Sequence, residues 1–189
     1  MKIGRLIVIA LLMFSGIAAG NDDAGVESTA PHATVARSSE IEAALKRNSA
    51  GALSDSVLRV VPIASKYNVG VAVVRRSKVN GRIQPDALVH ESVTEVYQIM
   101  EGKGVLVTGG ALRSARPITD ATVLGEIGPS SIGEAIVGGI RHEVGPGDIV
   151  VIPAGTPHGF IEITTARIVY TLIRIDPQRV LDTRGKPHR

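Results

Sequence analysis

A chain of 189 residues is long enough for one domain with a sizeable core, and with 3% aromatics and no Trp that core must be built from Val, Ile, Leu and Ala. The formal net charge of +3 is not arranged as a basic stripe with interleaved aromatics, which argues against a nucleic-acid partner, and the absence of cysteine excludes disulfides. Twenty-one glycines among abundant Val and Ile favour short strands joined by glycine turns over a helical bundle.

Lys2 and Arg5 precede the apolar run 6–19, and Ala18-Ala19-Gly20 follows it. This is the layout of a secretory signal peptide cleaved near Gly20–Asn21, so the protein is expected to be exported, periplasmic or secreted. The run is short for an uncleaved bilayer anchor, which needs roughly 20 residues, so no stable membrane span is expected after cleavage. Two of the 21 Lys and Arg residues and none of the 18 acidic ones lie in residues 1–20, so removal lowers the net charge from +3 to +1. Export without cysteine leaves stability to the core and to oligomerisation.

Residues 21–37, small and polar with Pro31, read as a disordered tether. Ser39 with Glu42 three residues on predicts a capping box and a short helix over 40–48. A polar linker follows at 49–55, closing an N-terminal section of 38–56. Strands are expected at 57–63 and 69–75, and Asn80-Gly81 is the strongest turn dipeptide. Residues 105–108 form another strand. Residues 111–139 lack a clear period and carry Pro117 and Pro129, which marks a functional or partly structured segment, read here as a lid with a helical turn at 130–135. Strands at 140–144, 148–152, 160–164 and 167–176 complete the sheet. Pro177 stops the last one, and 177–189 is a basic, solvated tail. The pattern predicts an all-β sandwich or small barrel.

Two segments carry the chemistry, 88–104 (LVHESVTEVYQIMEGKG) and 147–162 (GDIVVIPAGTPHGFIE). Strand alternation puts Glu95, Tyr97 and Ile99 on one face of the first and His158, Phe160 and Glu162 on one face of the second. If the two strands are neighbours, His90, Glu95 and His158 point inward together. Two imidazoles and a carboxylate suit a divalent metal ion, Fe, Mn, Zn or Ni, with coordination positions left open. A charged Glu inside an apolar barrel is costly unless something compensates it. Phe160 reads as pocket wall or core, and His142 as part of a solvated strand face. His32 and His188 fall in the tails.

The two segments resemble the two sequence motifs of the cupin superfamily. His90, four residues, Glu95, six residues and Gly102 match the second His, the Glu and the Gly of the first motif. Gly147, Pro153, Gly155 and His158 match the second. The resemblance covers residues 57–176 and implies a double-stranded β-helix jelly roll with the short helix at its N-terminus. It also implies a metal site at His90, Glu95 and His158, a homodimer formed by paired sheets or a swapped N-terminal strand, and a small-molecule ligand. There are two departures. Leu88 stands where the first motif has its first His, which removes one ligand, and Glu162 stands where the second motif ends in Asn. In the resembling lyases that cleave dimethylsulfoniopropionate, a Tyr at the place of Tyr97 acts as base, and packing is the plainer role for it here.

Three functions compete. The first is an exported metal-dependent enzyme acting on a small molecule, as an oxygenase, isomerase, decarboxylase or lyase, since the fold does not fix the reaction. The second is a non-catalytic ligand-binding or dimerising module with a vestigial metal site, which Leu88 favours by making the pocket more apolar. The third, a structural or adhesive protein, would make the motif residues accidental.

Overall fold

The computed structural model describes residues 32–47, 51–78 and 87–184. The expected leader, most of the tether, the Asn80-Gly81 turn and His188 lie outside them. The described residues from Thr34 onward belong to one compact unit.

Helix α1 (Ser38–Arg47) begins earlier than expected, because its cap is not the Ser39–Glu42 pair. Glu40 instead reaches back to accept the Arg37 backbone N–H at 2.9 Å. Ala44 is fully buried, and Ile41 and Leu45 pack with it against Leu58, Val73 and Val169. Strand β1 (Leu53–Ile63) also starts early, inside the expected linker. Its Ser54 and Ser56 hid the strand from a hydropathy reading. Both are buried, with their hydroxyls 3.3 Å apart. β2 (Tyr67–Ser77) returns antiparallel through a turn in which Ala64 and Ser65 both have positive φ.

β3 (Leu88–His90), β4 (Thr94–Glu101) and β5 (Gly104–Thr108) follow. Between β4 and β5, Gly102 takes φ +80°, and a Cβ there would lie 2.0 Å from the Arg167 carbonyl oxygen. The stretch 111–139 is an ordered excursion. It holds β6 (Ala111–Arg113), β7 (Arg116–Pro117), α2 (Ala121–Ile127), β8 (Ser130–Ile132) and β9 (Ala135–Val137). The helical turn expected at 130–135 is strand instead. The helix forms upstream, where Asp120 Oδ1 accepts the Thr122 and Val123 N–H groups at 2.8 and 3.0 Å. Seven residues are too few to display a helical period in sequence.

β10 (Ile140–Val144), β11 (Ile149–Ile152), β12 (His158–Ile163) and β13 (Arg167–Asp176) complete the chain. One sheet runs β1-β2-β13-β4-β11, a second β10-β5-β12-β3-β8-β7, and β6 pairs with β9. Apart from β1–β2 and β7–β8, the paired strands are non-consecutive, as in a jelly roll. Residues of both large sheets share one core, including Ala72, Tyr97, Ile99, Leu106, Phe160, Tyr170 and Leu172. Burial of each large apolar side chain there contributes about 1.5–3 kcal/mol. Among the described residues, no helix is long and apolar enough to cross a membrane.

Candidate metal centre

His90 ends β3, Glu95 follows at the start of β4, and His158 opens β12. β3 and β12 are paired neighbours, whereas β4 lies in the other large sheet. The motifs are tied by backbone and side chain. The Gly155 N–H donates to the His90 carbonyl at 2.7 Å, and the Ala154 N–H to Thr94 Oγ1 at 3.1 Å. The two sheets therefore bring together residues 68 positions apart in the chain.

All three residues are buried, with 1–2% exposure. His90 Nε2 faces Glu95 Oε1 at 3.2 Å, and His158 Nε2 faces Oε2 at 3.3 Å. One ligand atom from each residue lies within 4.8 Å of the others. The far ring nitrogens set the tautomers. His158 Nδ1 bonds the Thr156 carbonyl at 2.9 Å, and a carbonyl only accepts, so Nδ1 carries hydrogen. Ser130 Oγ donates to the Gly128 carbonyl at 2.8 Å and therefore accepts from His90 Nδ1 at 2.7 Å. With hydrogen on both Nδ1 atoms, each Nε2 faces the carboxylate, where it donates to Glu95 when the ring is protonated and offers a lone pair to a metal ion when the ring is neutral. Ring orientation by an outer carbonyl or hydroxyl is what metal-ligating histidines need. One carboxylate oxygen and two imidazole nitrogens within 4.8 Å of one another make a donor set of the kind that divalent ions take. The donor set fits a divalent ion.

Glu95 has two further partners. Tyr97 Oη donates to Oε2 at 2.8 Å, and Arg174 Nε donates to Oε1 at 3.1 Å. Burial alone would raise the carboxyl pKa, but His90, His158 and Arg174 outweigh it and hold the group well below the usual carboxylate range. Tyr97 shares the inward face with Glu95, as alternation predicts. Its ring stacks on Tyr170 at 4.5 Å. Burial, reinforced by the Glu95 charge, pushes its pKa well above that of an ordinary phenol, so the hydroxyl is a donor.

Arg174, Asp55 and Ser130 were not singled out from the sequence. Arg174 is 2% exposed and pairs with Asp55 through both terminal nitrogens. Its parity was readable, because it falls in phase with Tyr170 and Leu172 on the buried side of β13. Asp55 fell in the expected linker. Ser130 had no local signal, since only the pairing of β8 with β3 sets it opposite His90.

Glu162 does not share the face of His158 and Phe160. A bulge between Phe160 and Glu162 shifts the register, leaving Glu162 exposed and Ile163 in the core. Phe160 is core. Leu88 is the Cα partner of His158 and of Ile132. His142 is half-buried rather than solvated, with Nε2 2.9 Å from Thr108 Oγ1. His32 is exposed.

Fold and site together define a class of architecture: a jelly roll of antiparallel sheets whose interior holds a His/Glu group that could hold a metal ion. The AraC-like ligand binding domain family matches residues 135–187, which include His158 and Arg174. None of the curated proteins matches the sequence. Similar solved structures include a recombinant oxalate oxidase in complex with glycolate, 13% identical over 70% of this chain and 55% of that one, TM-score 0.42. An uncharacterized conserved protein with a double-stranded beta-helix domain from Klebsiella pneumoniae is 16% identical, over 71% of this chain and 84% of that one, TM-score 0.45. A protein from Bacillus halodurans is 16% identical, over 73% and 81%, TM-score 0.40. The chain spans about half the length of the first structures matched.

Proposed function

We propose that the chain is a small-molecule-binding cupin whose His90, Glu95 and His158 hold one divalent metal ion, of iron, manganese, zinc or nickel. The observation that carries this reading is the convergence of both Nε2 atoms on a buried carboxylate, with each imidazole oriented from behind by Thr156 or Ser130. The AraC-like match supports a small-molecule ligand. A bound ion would supply Lewis acidity or an open coordination position for that ligand. The chain's own residues do the rest. Tyr97 and Arg174 fix the carboxylate, Ser130 and Thr156 fix the rings, and Leu88 replaces a polar neighbour of His158 with an apolar one. Tyr97 is a positioning donor in this reading, because its raised pKa and its bond to Glu95 disfavour a base.

A second reading, a non-catalytic ligand-binding module, is favoured by one feature. Both Glu95 oxygens already accept hydrogen bonds from Arg174 and Tyr97, so the carboxylate is satisfied within the protein. The leader-like residues 1–20 support export, and the outward apolar residues of edge strand β11 support a homodimer.

Metal content by mass spectrometry, on full chain purified without a tag or chelator, tests the metal centre. Near-stoichiometric metal in the wild type, lost in Glu95→Gln and in His158→Ala, is the expected result. Unchanged metal in both variants would overturn the site. A wild type that stays empty after exposure to each ion would move the assignment to the binding module.

A further inference from the structure

Arg174 sits against a prospective cation site, where a positive charge is out of place. It touches Glu95 Oε1, the oxygen that also faces His90, and its other nitrogens hold Asp55. Arg174 is 2% exposed and its neighbour Asp55 is partly open, with 26% of its side chain exposed. Room for the arginine is built into β2. Gly70 is its Cα partner, and a Cβ there would meet Arg174 Cβ at 3.1 Å and Leu181 Cδ1 at 3.2 Å. A buried ion pair seldom stabilises a fold more than apolar residues of the same volume would. Stability alone therefore does not account for a guanidinium inside this barrel.

We infer that Arg174 is a built-in counter-cation that competes with the metal ion for Glu95, and that Asp55 sets the strength of the competition by drawing the guanidinium toward itself. This rests on the metal-centre reading. In the metal-free chain Arg174 compensates the buried carboxylate, so the barrel stands without an ion. When a divalent ion binds, it meets a like charge across the same carboxylate, and the two repel. Asp55 offsets that repulsion. Arg174 and Asp55 are thus positioning residues that lower and raise metal affinity respectively.

The opposite signs make the test decisive, since a merely structural role would weaken binding in both variants. Mn(II) and Zn(II) are titrated calorimetrically into the full chain as wild type, Arg174→Met and Asp55→Asn. Arg174→Met is expected to bind at least about tenfold more tightly, and Asp55→Asn about tenfold more weakly. If Arg174→Met fails to fold, Arg174→Gln, which keeps a donor near Glu95 and drops the charge, is read in its place. A wild type that binds while the arginine variant binds equally or less tightly overturns the inference. So does an Asp55→Asn variant that binds as tightly as wild type. Failure of the metal-centre reading looks different, because neither wild type nor arginine variant would take up either ion. A wild type that is empty beside an arginine variant that binds supports the inference.

Discussion

Glu95 is the residue on which the candidate site turns. Four side chains address its two oxygens, His90 and Arg174 at Oε1, His158 and Tyr97 at Oε2. Their roles separate by experiment. Ser130 touches no carboxylate and acts only through His90 Nδ1. Ser130→Ala should therefore leave the fold intact and weaken metal binding by about 10- to 100-fold, the usual effect of losing an outer partner. Calorimetric titration with Zn(II) checks this, and an unchanged affinity would remove Ser130 from the site. Tyr97→Phe deletes one donor to Glu95 and keeps the stacking on Tyr170. It should retain metal and cost about 1–2 kcal/mol of stability, read by chemical denaturation. Glu162, turned outward by the bulge, should be replaceable by Ala with a change of at most about 0.5 kcal/mol and no effect on metal content.

The elements explain why the glycines of the two motifs differ in consequence. Gly102 and Gly155 both have positive φ, at +80° and +78°. A Cβ at Gly102 would collide with the Arg167 carbonyl oxygen, and one at Gly155 meets nothing within 4 Å. Gly155→Ala should therefore cost only the left-handed backbone penalty, about 1–2 kcal/mol. Gly102→Ala carries that penalty plus a backbone clash, and its loss of stability should be the larger of the two. Thermal melts of the two variants measured side by side decide it, and equal losses would show that the β4–β5 turn yields. The excursion between β5 and β10 contributes differently from a simple cover. Its β8 pairs with β3 and sets Ser130 beneath His90, so part of the site's ordering comes from a segment outside both motifs.

At the scale of the whole molecule, α1 covers only part of the outer face of the first sheet, around Val73 and Val169. The far edge of that sheet is β11, with Ile149 64% and Val151 61% exposed and no charged residue on the strand. Val151 stands opposite Val96, and Val96 opposite Ile173, so an apolar row crosses the outer face of three strands. Natural edge strands are normally blunted by charge, and an unblunted one is prone to pair. The proposed homodimer would use this edge. Val151→Lys should convert a dimer to a monomer in light scattering without lowering the melting temperature of the monomer. A wild type that is monomeric at high concentration would refute the dimer. Export is tested by N-terminal sequencing of the mature protein, which should begin near Asn21.

How much of this was legible in the chain depends on the range of the interaction involved. Spacing within a strand is a local property, so the inward parity of Glu95 and Tyr97 and the turn glycines at 102 and 147 could be read from the motifs, as could the all-β class from its Val, Ile and Gly content. Parity fails wherever an extra residue enters a strand, and the bulge beside Ile161 turned Glu162 outward with no mark in the sequence. Polar residues on buried faces were invisible for a related reason. Ser54, Ser56 and Asp55 look like a linker until a partner strand and Arg174 give their polar atoms something to bond. Ser130 under His90, Arg174 on Glu95 and the pairing of β3 with β12 are contacts between segments tens of residues apart. The sequence by itself determined the class of fold and three candidate ligands. Only the tertiary structure decided what surrounds those ligands, because strand pairing, unlike strand periodicity, is settled by burial and hydrogen bonding across the whole barrel.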